Sequence, residues 1–158
     1  MQNPLEKSKY LVGVDQRDES RVALRLACMK ASARGSQVVM VHVVAPADFQ
    51  TLGAIADRMR EERKREGQLL LSQLAEEAYA TYSIKPHTVL REGPTGDEIL
   101  ETALADADVS MIVLGMAEHG SGRGKLAAWL ASQLGSKLPI PLLLVPGNLT
   151  DQQLHSLI

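Results

Sequence analysis

The stretch from Gly115 to Lys125 holds the densest chemistry in the chain: Gly-Met-Ala-Glu-His-Gly-Ser-Gly-Arg-Gly-Lys. Its four glycines, Gly115, Gly120, Gly122 and Gly124, let backbone N–H groups approach a ligand closely. A helical pattern starts at about Lys125, which points the positive end of a helix dipole at the loop. Arg123 and Lys125 add formal positive charge. Together these groups describe a cradle for phosphate. The same composition also reads as a mobile surface loop, and the glycine cluster alone does not choose between the two. The spacing is not that of a P-loop, because Leu126 follows Lys125 where a Ser or Thr is needed. A second polar position is Asp15, followed by Gln16-Arg17-Asp18. No G-x-G-x-x-G follows it, so the dinucleotide fingerprint is missing.

The other reactive side chains read more plainly. His42 sits on an apolar run and is expected to be a core or inter-strand histidine. His87 stands near a strand start, His155 in the polar tail, and His119 beside the glycine-rich loop. With Cys28, no two of these have metal-ligand spacing, so no structural zinc site is expected. Cys28, among Leu24, Leu26 and Met29, reads as a small core residue. Ser121 lies in Gly-Ser-Gly without the strand–G-x-S-x-G–helix setting of a hydrolase elbow. No nucleophile–base pair is recognisable. Trp129 has three readings: core, dimer contact or lid over a pocket, with core favoured.

Five short apolar runs must position this chemistry. They are Tyr10–Val14, Gln37–Val44, His87–Leu90, Ser110–Leu114 and Leu142–Val145. Runs of this length, rich in Val, Leu and Ile and not alternating, are what strands buried on both faces look like. Between them lie helical spacings over Glu19–Ala33, with Asp18 as N-cap, Ile55–Tyr82, Pro94–Asp106 and about Lys125–Lys137. The mixed charges from Asp57 to Glu66 read as a solvated helix face. The alternation predicts right-handed βαβ units: an α/β, Rossmann-like, open five-stranded parallel sheet with helices on both faces. Ligands of such a sheet sit beyond the carboxyl ends of its strands. That places Asp15, Val43-Val44 and the loop after Gly115 around one candidate site.

Composition narrows the function classes. The chain has 158 residues, 45% of them apolar, which suits one core. We divide it into a polar segment 1–8, a domain 9–147 and a tail 148–158. A net charge of −2 and 3% aromatic residues give no platform for nucleic acid. The apolar runs are too short to cross a bilayer, and the first residues lack the apolar centre of a signal peptide, so neither membrane nor export is expected. A cytoplasmic protein is.

Several segments in order resemble the universal stress protein family, over about Lys9 to Pro146. Tyr10-Leu11-Val12-Gly13-Val14-Asp15 with Glu19-Ser20 resembles that family's first strand and its aspartate, and Val41-His42-Val43-Val44 its second strand. Arg91-Glu92-Gly93 with Glu98-Ile99-Leu100 resembles the entry to its third helix. Val113-Leu114-Gly115 and Pro139 to Pro146 resemble its last two strands. The resemblance implies an adenine nucleotide, ATP or AMP, with or without Mg. Asp15 would lie near it and the backbone at Val41 would lie against the adenine.

The family's phosphate motif, G-x2-G-x9-G-[S/T], is degenerate here. Started at Gly115 it meets Glu118 and then Ala128-Trp129; with Gly122 as second glycine it starts at His119 and ends at Ser132-Gln133. The nucleotide candidates are therefore Asp15, Val41, Gly115, Gly120, Gly122, Gly124, Lys125 and Ser132. Two functions remain: a stress-response module that binds nucleotide, at most a slow ATPase, or a stress-associated interaction protein that has lost it. The resemblance also implies a homodimer through the last strand. The apolar residues Leu149, Leu154, Leu157 and Ile158 of the tail are expected to extend that contact, and any further protein partner is unknown.

Overall fold

Apolar strands can bury both faces only if helices cover both, and the chain does this around one sheet. The computed structural model describes residues 8–46, 53–117 and 124–158. In chain order the elements are β1 (Lys9–Gly13), α1 (Asp18–Arg34), β2 (Gln37–Val44), α2 (Ala54–Tyr82), β3 (His87–Glu92), α3 (Thr95–Leu104), β4 (Val109–Met116), α4 (Gly124–Ser132), β5 (Leu142–Pro146) and α5 (Asp151–His155). All neighbouring strands are parallel, in the order β3-β2-β1-β4-β5. This is the expected Rossmann-like α/β fold. The order reverses beside β1: the chain leaves it toward β2 and later returns to its other side as β4. A crevice opens at such a switch point.

The two sides of the sheet bury different amounts. On one side Val12, Val38 and Met40 pack with α1, α2 and Leu154 of α5. On the other Leu11, Val39, Val41 and Ile112 pack with α3 and α4. Helix α1 buries nine residues, from Ser20 to Ala31, among them Cys28, which is fully enclosed. It ends at Gly35, whose φ of 70° supplies the left-handed turn that an L side chain resists, with its N–H donating to the Ala31 carbonyl. The N-cap is Arg17 without a side-chain cap bond. Asp18 instead is the first helical residue, where its charge suits the dipole.

Helix α2 runs 29 residues but buries none before Gly67. Its charged first half is exposed apart from a few half-buried positions, as a solvated face requires. Arg60 and Lys64 there pair with Glu92 at the end of β3, at 2.8 and 3.5 Å.

The tail folds back. Thr150 and Gln153 form a capping box that starts α5, and Leu154 is fully buried against the α1 side of the sheet, with Leu149 packed nearby. Those two side chains are thus used within the chain, while Leu157 and Ile158 stay 55% and 50% exposed.

Candidate functional site

Strands β1, β2 and β4 end around a cleft of about 160 Å³. Its floor is Gly13, Val14 and Asp15, Val41 to Val43, and Leu114, Gly115 and Met116. Thr95 and Ile99 of α3 and Leu126 and Ala127 of α4 form the wall on one side, and Ser20 of α1 closes it on the other.

The α1 wall is held by hydrogen bonds. Ser20, 4% exposed, donates its hydroxyl to Asp15 Oδ1 and accepts the Asp15 N–H, both at 2.9 Å. The Arg17 N–H donates to the same Oδ1 at 2.9 Å. The carboxylate is therefore oriented before any ligand arrives, since a buried hydroxyl fixes one of its oxygens. On the floor, a Cβ at Gly115 would overlap the Glu19 carbonyl of α1. Only a glycine lets β4 pass this close to the first turn of that helix. One further group on the floor is His42, half-buried, whose Nδ1 lies 2.8 Å from the Val14 carbonyl.

The α4 wall is thinner. Helix α4 buries only Ala127 and Leu130. Trp129 is half-buried and rests on α3: a Cβ at Gly96 would come within 2.5 Å of the indole Cε3. The indole packs against the α3/α4 side of the core and is not among the residues lining the cleft.

Among the sequence candidates, Asp15, Val41 and Gly115 are brought together on one cleft. Gly124 and Lys125 start α4 and are exposed, adjoining the cleft through Leu126 and Ala127 without lining it. Ser132 is the last residue of α4; its hydroxyl donates to the Trp129 carbonyl, and it does not reach the cleft. Gly120 and Gly122, with Glu118, His119, Ser121 and Arg123, lie outside the described residues.

Sequence reasoning passed over Ser20, Thr95 and the cleft position of His42. A signal existed for the first, since Asp15 and Ser20 bracket the turn from strand to helix and a hydroxyl there can bond back to the turn. Among the described residues no three His, Cys, Asp or Glu side chains gather for a metal, and no helix is long and apolar enough to cross a membrane.

The arrangement suits a ligand with an apolar, flat part and hydroxyl groups. Val41, Val43, Ile99, Leu114 and Leu126 offer apolar walls, and Asp15 offers a fixed acceptor for hydroxyl donors. An anionic part must lie away from Asp15, toward the start of α4 with Lys125, where the helix dipole is positive.

Solved structures share this fold. A universal stress protein from Lactobacillus plantarum superposes with a TM-score of 0.74 at 16% identity, covering 88% of this chain and 97% of that one. A universal stress protein family member from Burkholderia pseudomallei gives 0.69 at 23% identity, covering 89% and 96%. One from Arabidopsis thaliana, solved with AMP bound, gives 0.62 at 16% identity, covering 88% and 91%. Among curated proteins compared by sequence, none matches significantly. The sequence model of the Universal stress protein family matches residues 8–146, nearly the whole of the sheet and its helices, and the chain belongs to that family.

Proposed function

We propose that the chain is a cytoplasmic stress-response module that binds an adenine nucleotide in the cleft at the ends of β1, β2 and β4. The observation that carries this reading is the convergence of Asp15, Val41 and Gly115 on that one cleft. Its volume of about 160 Å³ is below the ~300–1,000 Å³ of pockets that enclose a whole drug-sized ligand. It suits the base and part of the ribose, with the phosphates outside toward Lys125. The AMP carried by the Arabidopsis structure agrees with a ligand of this class. Asp15 accepts from ribose hydroxyls, and Val41 with Val43 on the floor lies against the base. A magnesium ion would arrive on the phosphates, since Mg²⁺ uses one or two carboxylates together with phosphate oxygens.

Titration calorimetry with AMP and ATP tests the reading. Both bind, Asp15→Ala weakens both, and Lys125→Ala weakens ATP more than AMP, by about tenfold for ATP, the worth of one charge-assisted hydrogen bond. No binding of either at millimolar concentration sinks it. The interaction-protein reading then stands, favoured by Ala128-Trp129 where the family motif has glycine and a hydroxyl, and by the seating of that indole on Gly96.

The same proposal includes a homodimer through β5. Among the described residues that strand is an edge, paired with β4 alone, and Leu144 on it is 41% exposed. An apolar edge invites pairing with another copy. Sedimentation at tens of micromolar protein gives a dimer; a monomer at that concentration overturns this part.

A further inference from the structure

The parallel pairing of β1 with β2 stops at Gly13 opposite Val41, closed by the Val14 N–H donating to the Val41 carbonyl at 2.9 Å. Regular pairing would next place a β2 amide on the Val14 carbonyl. Instead that carbonyl lies 2.8 Å from His42 Nδ1. A carbonyl only accepts, so Nδ1 carries the proton. Beyond this point β2 stays with β3, Val43 opposite Arg91 and Val44 opposite Glu92, and so parts from β1. The parting occurs on the floor of the cleft, at the peptide that joins Val14 to Asp15.

A second observation fixes the same ring from the other side. Gly67 is the first buried residue of α2, and a Cβ there would lie 2.9 Å from His42 Cδ2 and 2.8 Å from Leu90 Cδ1. Glycine inside a helix is less favourable than alanine, so its place here calls for a reason. Here the missing side chain leaves the space that the imidazole edge occupies. His42 is thus held between α2 and the end of β1, with its polar atom on the backbone that carries Asp15.

We propose that His42 is a positioning residue for the cleft: its Nδ1–H replaces one rung of the β1–β2 ladder and thereby holds the Val14–Asp15 peptide where a nucleotide meets it. The affinity part of this inference rests on the nucleotide reading above; the geometric part does not.

The test compares His42→Asn, whose side-chain amide can still donate to the Val14 carbonyl, with His42→Leu, which keeps bulk beside Gly67 but has no donor. His42→Leu weakens AMP binding by about tenfold, and His42→Asn stays within about threefold of the unaltered protein. Long-range ¹H–¹⁵N spectra at about pH 8, where a free imidazole is neutral, show the proton on Nδ1. The amide shifts of Asp15 and Arg17 move in His42→Leu and much less in His42→Asn. Equal AMP affinity in all three folded proteins overturns the affinity part, as does an unaltered protein that binds no AMP, which also overturns the nucleotide reading. A proton on Nε2, or Asp15 and Arg17 amides unmoved by His42→Leu, overturns the geometric part whether or not AMP binds.

Discussion

The two walls of the cleft are built to different standards. Helix α1 buries nine residues and ties Asp15 down through Ser20, whereas α4 buries two and leans on α3 through one indole. Groups on the first wall are placed by the core itself. Groups on the second are placed by a short helix with little of its own to hold it. A cleft assembled this way keeps the Asp15 carboxylate fixed, while its α4 side is free to vary in sequence at little cost to stability.

Paired truncations test this asymmetry and carry the largest expected effect. Leu26→Ala in α1, where the side chain is 3% exposed, costs about 2–5 kcal/mol of unfolding free energy. Leu126→Ala in α4, half-buried on the cleft, costs about 1 kcal/mol or less yet weakens AMP binding. Urea melts with calorimetry on both variants check this, and equal stability losses would break the comparison.

Gly115→Ala comes next. Its Cβ runs into the Glu19 carbonyl, so the first turn of α1 must shift, at about 1–3 kcal/mol. Because that shift drags Ser20 and Asp15, AMP affinity falls with stability, and the two losses are read from the same preparation. Gly96→Ala asks the same of the weaker wall. There the obstacle is an indole on a half-buried surface rather than a backbone, so the ring moves and the cost is about 1 kcal/mol. Trp129 is the only tryptophan in the chain, so its emission spectrum reports that movement directly.

The smallest effect lies at the opposite end of the sheet. Lys9 Nζ bonds Asp106 Oδ2 at 2.9 Å, and this ammonium, ahead of all other causes, holds the Asp106 carboxyl below the usual carboxylate range. A carboxylate lowered on folding adds stability above its unfolded pKa, about 3.9, and loses it as the pH falls through the folded value. For a partly exposed pair this is below about 1 kcal/mol. Asp106→Asn therefore lowers the urea midpoint slightly at neutral pH, and the gap closes as the pH drops below about 4. AMP affinity at neutral pH is unchanged.

Much of the architecture was legible because burial on both faces leaves a strong mark. The five apolar runs all became strands, with β3 extending past Leu90 to Glu92 and β4 continuing past Gly115 to Met116. Ends were harder to read. Helix α4 stops at Ser132, short of Lys137, because Gly135 at φ 81° and the bridge between Leu134 and Leu138 turn the chain back toward β5. Helix α5 forms where the sequence reading has a polar tail, although Thr150-x-x-Gln153 spells a capping box directly ahead of Leu154.

Within the site, Asp15 and Gly115 stood out because each lies at the carboxyl end of an apolar run, a position that sequence patterns mark. Val41 entered only through family resemblance, since a valine inside an apolar run carries no mark of lining a cleft. His42 looked like any histidine on an apolar run. Its bond to Val14, 28 residues away, and its place against Gly67 exist only once the strands are side by side.

The enclosure of Cys28 has a practical consequence. It is the chain's single cysteine, it has no exposed surface, and burial pushes its thiol up to about 12. A thiol-modifying reagent needs both access and a thiolate, and the folded protein supplies neither. The rate of labelling at neutral pH is then set by how often α1 lifts from the sheet. The protein carries its own clock for the opening of its stronger wall, and a nucleotide that binds only the closed form slows that clock by the factor 1 + [L]/Kd.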